Sequence, residues 1–299
     1  MFIGEAAALA TAVCWSLTAI FFSASGRRIG ADVVNRSRLV FAFLFLILTH
    51  RLLEGTFFPW GTDAYRWGWL ALSSLLGLVI GDAFLFQAYV LIGPRISMLM
   101  MSTVPILSTL FGWLLFGELV SGLELAAILL AVIGIGWVVT EGQTDPLLAD
   151  RGSYRKGVLF ALAGALGQVA NLVTARYALV DGYPPISATV IRIFVGLVVL
   201  WSIAAARGQI RATVTAWRDT QAFRALIAGA TSGPFLGIWF SLIAVQNARL
   251  GIASTLMALP PVLLIPMEYL AYRRPVSARS VIGTLVAMVG VTILIWQQS

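Results

Sequence analysis

Apolar blocks long enough to cross a lipid bilayer, divided by short polar breaks, constrain this chain more than any other feature. A hydrocarbon core about 30 Å thick takes about 20 helical residues. Ten such blocks run at 3–24, 34–53, 66–90, 95–116, 122–140, 154–176, 185–206, 223–245, 251–271 and 277–296. They are longer than porin-type strands and do not alternate strictly, so they read as helices. Of the 299 residues 60% are hydrophobic and 11% charged, less than half the charged share of a soluble domain. The single cysteine, Cys14, and single histidine, His50, exclude an internal disulfide and a His/Cys metal cluster, and no cofactor is expected. The formal charge of +7 sits mostly in arginines between blocks, where topology and lipid headgroups account for it. No zinc-finger spacing or basic helix points to nucleic acid. The first block lacks the basic lead and cleavage site of a signal peptide and reads as a retained span.

Most joints are short, such as Leu91–Pro94 and Gly117–Ser121, so consecutive helices must lie side by side and antiparallel. The longest joint after the first half, Glu141 to Ser153, separates two five-helix units, 1–145 and 150–299. The units repeat at an offset of 156 residues: Gly81 with Gly237, Phe84 with Phe240, Ala88 with Ala244, Met101 with Met257, Pro105 with Pro261, Ser121 with Ser277, and Gly134 with Gly290. Arg38 and Arg192 pair at an offset of 154. Five is odd, so the second unit must enter the membrane from the opposite side. The expected fold is an all-α membrane protein of ten transmembrane helices in two inverted five-helix repeats, the architecture on which alternating access is commonly built. Counting lysines and arginines at the joints gives fourteen on one side and four on the other, which by the positive-inside rule puts both termini outside.

Polar residues inside apolar blocks are the functional candidates. Asp82 follows Gly81 well inside the third block. A carboxylate at that depth must pair, protonate or face water, so it is either a proton relay or substrate contact, or a group locked to an arginine. Arg38 and Arg192 either snorkel to headgroups or offer their planar forks to an anion at a cavity mouth, with Asp82 as one possible partner. Pro105 and Pro261 should bend their helices at matching places. Met98 and Ser102 lie on the Pro105 face of the fourth block. Ser254 and Ala258 lie on the Pro261 face of the ninth. Trp15, Ser16, Gln168, Asn171, Trp239 and Ser241 complete a candidate cavity lining, the alternative for each being an interhelical hydrogen bond or packing. Trp113, Trp137, Trp201 and Trp296 read as span-end or lipid-facing anchors. No Ser/His/Asp arrangement can be built from the lone His50.

The Gly117-Glu118 step, the glycine-rich run Ala131–Gly136, Arg38 at the start of the second span and Pro105 in the fourth are ordered and spaced as in one family. Over nearly its whole length the chain resembles the EamA family of the drug/metabolite transporter superfamily. The resemblance implies secondary transport, often export, of small polar or amphipathic metabolites such as amino acids; membrane lipids and protons are the other expected partners, with the chain a monomer or homodimer. It implies a prokaryotic plasma (inner) membrane and cytoplasmic termini, the latter against the charge count. The chain has no Walker-type loop for ATP. It departs from the family where a second Gly-Glu step would fall, having Arg273-Arg274-Pro275. The rival readings are a membrane-embedded enzyme acting on a lipid or lipid-linked substrate, which would need convergent acid, base or metal-binding groups, and a non-transporting scaffold.

Overall fold

The computed structural model describes residues 3–104, 106–107, 121–142, 151–247, 256–272 and 277–297. Among these every regular element is helical. The first half contains α1 (Ile3–Ile29), α2 (Ala31–Glu54), α3 (Ala64–Ser74), a π-helical segment π1 (Leu75–Gly81), α4 (Asp82–Met101) and α5 (Gly122–Gly142). The second contains α6 (Arg151–Ala178), α7 (Pro185–Ala206), α8 (Ile210–Ala216), α9 (Thr220–Ala230), π2 (Thr231–Gly237), α10 (Ile238–Asn247), α11 (Pro260–Tyr272) and α12 (Ala278–Gln297). Five stretches, Ile3–Ile29, Ala64–Met101, Gly122–Thr140, Gly152–Ala175 and Pro185–Ala206, are by length and composition apolar enough to cross a membrane. The second of these is two helices. Gly93, at φ 79° and ψ 167°, takes a conformation that side-chain-bearing residues rarely adopt, and Pro94 opens the next helix where its missing N–H costs nothing. This is the joint read at Leu91–Pro94.

The sequence repeat is also a repeat of local geometry. π1 and π2 are separated by 156 residues at both ends. In π1 the N–H of Asp82 reaches back five residues to Gly77 O, and in π2 that of Ile238 reaches Gly233 O. Pro234 lies inside π2, where it has no N–H to give an α-helical bond. Helical geometry breaks at Ser102 and again at Ala258, at the same offset. The rod of α3 is capped by Asp63, whose Oδ1 accepts the N–H of Arg66 at 3.0 Å, and that of α9 by Asp219, which accepts the N–H of Ala222 at 3.0 Å. Pro105 lies outside the described residues. Pro261 lies in the first turn of α11, just after the break at Ala258–Leu259, so that interruption takes the place of the bend expected within a continuous helix.

The halves exchange contacts. α1 packs on α9, π2 and α10, while α6 packs on α3, π1 and α4. Glycines allow both approaches. A Cβ on Gly77 would lie 2.7 Å from Asn171 Cγ, and one on the matching Gly233 would lie 2.6 Å from Thr18 Cγ2. α5 and α12 meet reciprocally: a Cβ on Gly134 would lie 2.4 Å from Ala287 N, and one on Gly290 would lie 2.5 Å from Ala131 N. Val138 approaches Gly283. The partner number falls from 290 to 287 to 283 as α5 climbs from 131 to 134 to 138, so the two helices are antiparallel. Leu129, Val132, Ile133, Ile282, Leu285 and Val289 remain exposed on this pair, an oily face suited to lipid.

Contacts between joints sort them into two ends. At one end Arg28 Nε pairs with Asp219 at 2.9 Å, Arg36 Nη1 donates to Gln209 Oε1 at 3.1 Å, and Arg95 Nη1 donates to Ser280 Oγ at 2.6 Å. At the other, Arg66 pairs with Asp181 at 3.3 Å and the Thr62 and Tyr183 hydroxyls meet. Trp137 and Trp296 are exposed, as anchors should be. Trp201, half-buried near the end of α7, donates its Nε1 to Arg36 O at 3.1 Å and meets the Trp217 ring edge-on. Trp113 lies outside the described residues.

Candidate functional site

The π1 segment widens the helix one residue before Asp82 and turns that carboxylate toward α2 and α6. Its Oδ2 accepts Arg38 Nη2 at 2.5 Å, and its Oδ1 accepts Gln168 Nε2 at 3.0 Å. Both side chains are almost sealed from the surface, Arg38 at 3% and Asp82 at 6% exposure. Such a pair survives burial only if its remaining donors and acceptors are also occupied. Asn35, one turn before Arg38 on α2, supplies an acceptor: its Oδ1 takes Arg38 Nε at 3.1 Å and Nη2 at 3.0 Å. The guanidinium also lies 4.8 Å from the centre of the Phe86 ring, within cation–π range.

The network continues into the second half. Asn171 Nδ2 donates to Gln168 Oε1 at 3.0 Å, as expected for residues one turn apart. Asn171 Oδ1 accepts Arg192 Nη2 at 2.7 Å and the Ser73 hydroxyl at 2.6 Å. Ser74 Oγ donates to the backbone carbonyl of Arg192 at 2.6 Å. One chain of hydrogen bonds thus runs Arg38–Asp82–Gln168–Asn171–Arg192, with the first two residues from one repeat and the last three from the other. Arg192 is half-buried, its Nε is sealed from the surface, and among the described residues that nitrogen has no hydrogen-bond partner.

Of the candidates named from sequence, the structure joins these five in one hydrogen-bonded chain, and the other described candidates make separate contacts. Ser16 is buried but donates to Ala12 O in its own helix at 2.7 Å, and Ser241 donates to Ile238 O at 2.7 Å. Trp15 lies against Gly237 of π2. Trp239 stacks with Phe240 and approaches Phe235. Met98 Sδ accepts the Tyr89 hydroxyl at 3.2 Å. Ser102 faces Met288 Sδ at 3.9 Å, and Ala258 packs on the apolar core of α4, α5 and α12. Ser254 lies outside the described residues. Ser73, Ser74 and Phe86 were not singled out from the sequence, and Asn35 stands out there only in the glycosylation-type pattern Asn35-Arg36-Ser37 and not as a partner of Arg38. Asn35 had one usable signal, its i,i+3 relation to Arg38.

His50 has a defined role. Its Nδ1 meets the backbone carbonyl of Thr56 at 2.6 Å and its Nε2 meets Ser187 Oγ at 3.0 Å. A carbonyl can only accept, so Nδ1 carries the hydrogen, and in the neutral ring Nε2 takes the Ser187 hydroxyl. The pair ties α2 to α7 beside a cavity of about 230 Å³ lined also by Glu54 and Tyr183. Burial pushes the Tyr183 phenol up in pKa, against the hydrogen bond with Thr62. Among the described residues no His/Cys/Asp/Glu group could hold a metal.

The profile of the EamA-like transporter family matches residues 2–140 and again 155–296. No curated protein matches the chain. A solved crystal structure of another protein superimposes with a TM-score of 0.67 at 19% identity, over 97% of this chain and 95% of that one. At that identity the likeness shows the fold alone.

Proposed function

The chain belongs to the EamA-like transporter family, and from that premise we propose that this integral membrane transporter works by alternating access, exporting small metabolites such as amino acids or amphipathic compounds. The observation that carries the reading is the buried polar chain joining the repeats, Arg38–Asp82–Gln168–Asn171–Arg192. Ionisable groups placed between apolar helices are costly and mark substrate or ion pathways. Here they bridge the two bodies that would move against one another. A substrate or proton that competes for these bonds can therefore alter how the repeats sit together, which is the coupling that alternating access requires.

The architecture is read as ten crossings in two inverted repeats. The antiparallel, reciprocal pairing of α5 and α12 supports it. So does the sorting of joints, since the one after α1 meets the one after α7, and the one after α2 meets the one after α6. Asp82 is the proposed proton carrier, because it is the cluster's carboxylate and Ile238 stands at the matching place in the other half. External termini follow the charge bias. A cysteine placed at Ser299 in a chain with Cys14 removed should react with an impermeant reagent in intact cells.

The test is flux in proteoliposomes loaded with amino acids, nucleosides or amphipathic compounds under an imposed pH gradient. Saturable flux of at least one class is expected, with Asp82→Asn folding normally but losing the response to the gradient. No substrate-dependent flux would sink the transporter reading. Asp82→Asn with the wild-type pH profile would sink the proton carrier alone.

A further inference from the structure

We infer that Arg192 is the docking point for the carboxylate of an organic anion, so that the protein prefers acidic over neutral substrates; this rests on the transport reading above and narrows its substrate class. The argument begins with charge. The cluster contains two guanidinium groups and one carboxylate, leaving one formal positive charge, and among the described residues no second acid joins it. An uncompensated charge among apolar helices is expensive, and an incoming anion relieves that cost.

The two arginines are not equivalent. Arg38 is spent: Asn35, Asp82 and the Phe86 ring occupy its fork and face, and it is sealed off. Arg192 is charged but holds only a neutral acceptor, Asn171 Oδ1, through Nη2. Among the described residues its Nε has no partner, and its side chain is half-buried. A guanidinium presents Nε and Nη2 as one edge, the edge that takes a carboxylate through two parallel bonds. An acid arriving there satisfies the orphaned Nε and displaces an acceptor that has another donor in Ser73. Arg192 is also near enough to Asp82 for direct electrostatic interaction, so neutralising Arg192 changes the field at Asp82.

The test uses the full chain in nanodiscs of neutral phosphatidylcholine, at fixed chloride, titrated with acetate, lactate, benzoate and phenylacetate and with the primary amide of each. Binding is followed by calorimetry. The best acid should bind at least about tenfold more tightly than its amide, the factor that one charge-assisted hydrogen bond supplies. Arg192→Gln should erase that ratio and Arg192→Lys should keep part of it. A wild type with no acid-over-amide preference, or an Arg192→Gln variant that keeps one, overturns the proposal. Should Arg192→Gln fail to fold, phenylglyoxal labelling of the wild type gives the answer: Arg192 protected by the best acid but not by its amide supports the site, and equal labelling overturns it. Flux of neutral solutes without acid preference would refute this site and leave transport standing. Acid preference without flux would do the reverse.

Discussion

π1 and π2 are the same device put to different uses. Both are seven-residue segments ending in glycine, both follow a rod capped by an aspartate, and both receive the first helix of the other repeat against a matching glycine. After π1 the next residue is Asp82, and a charged network gathers around it. After π2 it is Ile238, and the neighbouring contact is the neutral hydrogen bond between the Thr18 and Ser232 hydroxyls at 2.8 Å. The bulge is therefore architecture shared by both repeats, held by glycine and close packing. The chemistry is laid on top of it by residues that differ between the halves, Asp82 against Ile238 first among them. π-bulges often occur at functional sites, and here one of the two carries a carboxylate while the other does not.

The largest expected effect tests that asymmetry directly. Arg38→Gln would leave Asp82 buried without its cation, a change that costs about 3–5 kcal/mol for a buried pair. Arg192→Gln removes a donor from the neutral Asn171 and should cost about 1.5–3 kcal/mol. Adding Asp82→Asn to Arg38→Gln should recover part of the loss, because the stranded charge goes with it. Unfolding by sodium dodecyl sulfate in mixed micelles, read by circular dichroism, gives the ranking. Equal losses for the two arginines would mean that the halves are electrostatically alike after all.

Symmetry should reappear where α5 meets α12. A methyl on Gly134 or on Gly290 meets backbone at 2.4 Å and 2.5 Å respectively, so something must move, at a cost of about 1–3 kcal/mol by the usual penalty for overpacking. The two alanine variants should lose similar stability in the same assay. Gly136→Ala, with nothing within 4 Å, should be neutral or slightly stabilising, since alanine favours the helix. A large difference between Gly134→Ala and Gly290→Ala would break the reciprocal packing described here.

The symmetric part of the molecule was the part legible in the sequence. Gly81, Gly134 and their partners at 156 residues are informative letters, because a glycine in an apolar helix usually marks a close approach. The asymmetric part was only half legible. Asp82, Arg38, Gln168, Asn171 and Arg192 stand out by type, but pattern alone does not say that they meet. Ser73 and Ser74 looked no different from Ser16 and Ser241, and a hydroxyl in an apolar helix can always turn to a carbonyl one turn back. Ser16 and Ser241 do so, while Ser73 and Ser74 reach across to another helix. Trp201 shows a similar ambiguity: an indole near a span end can sit at the interface and also donate to a carbonyl, as its Nε1 does to Arg36 O.

The smallest effect concerns the caps, which again match in position and differ in partners. Asp63 is held below the usual carboxylate range first by the N–H of Arg66 and then by its guanidinium, three residues away in the same helix. Asp219 is held down first by the N–H of Ala222 and then by Arg28 of the other half. A carboxyl depressed in the folded state contributes stability that is complete above its unfolded value, about 3.9, and is lost as the pH falls through the folded value. Both groups are open to solvent, so screening keeps the contribution small. Asparagine keeps the cap but does not titrate. Between about pH 5 and about pH 3 the wild type should therefore lose melting temperature more steeply than Asp219→Asn, with the two curves converging at the acid end. The same comparison for Asp63→Asn should converge likewise. Its effect should be the smaller, because Arg66 and Asp63 stay neighbours on one helix whether or not the charge is present, whereas Asp219 also fastens α1 to the second repeat. Melting followed by tryptophan fluorescence at stepped pH would measure both slopes. A wild type and Asp219→Asn variant with parallel curves down to about pH 3 would show that this tie between the halves contributes nothing to stability.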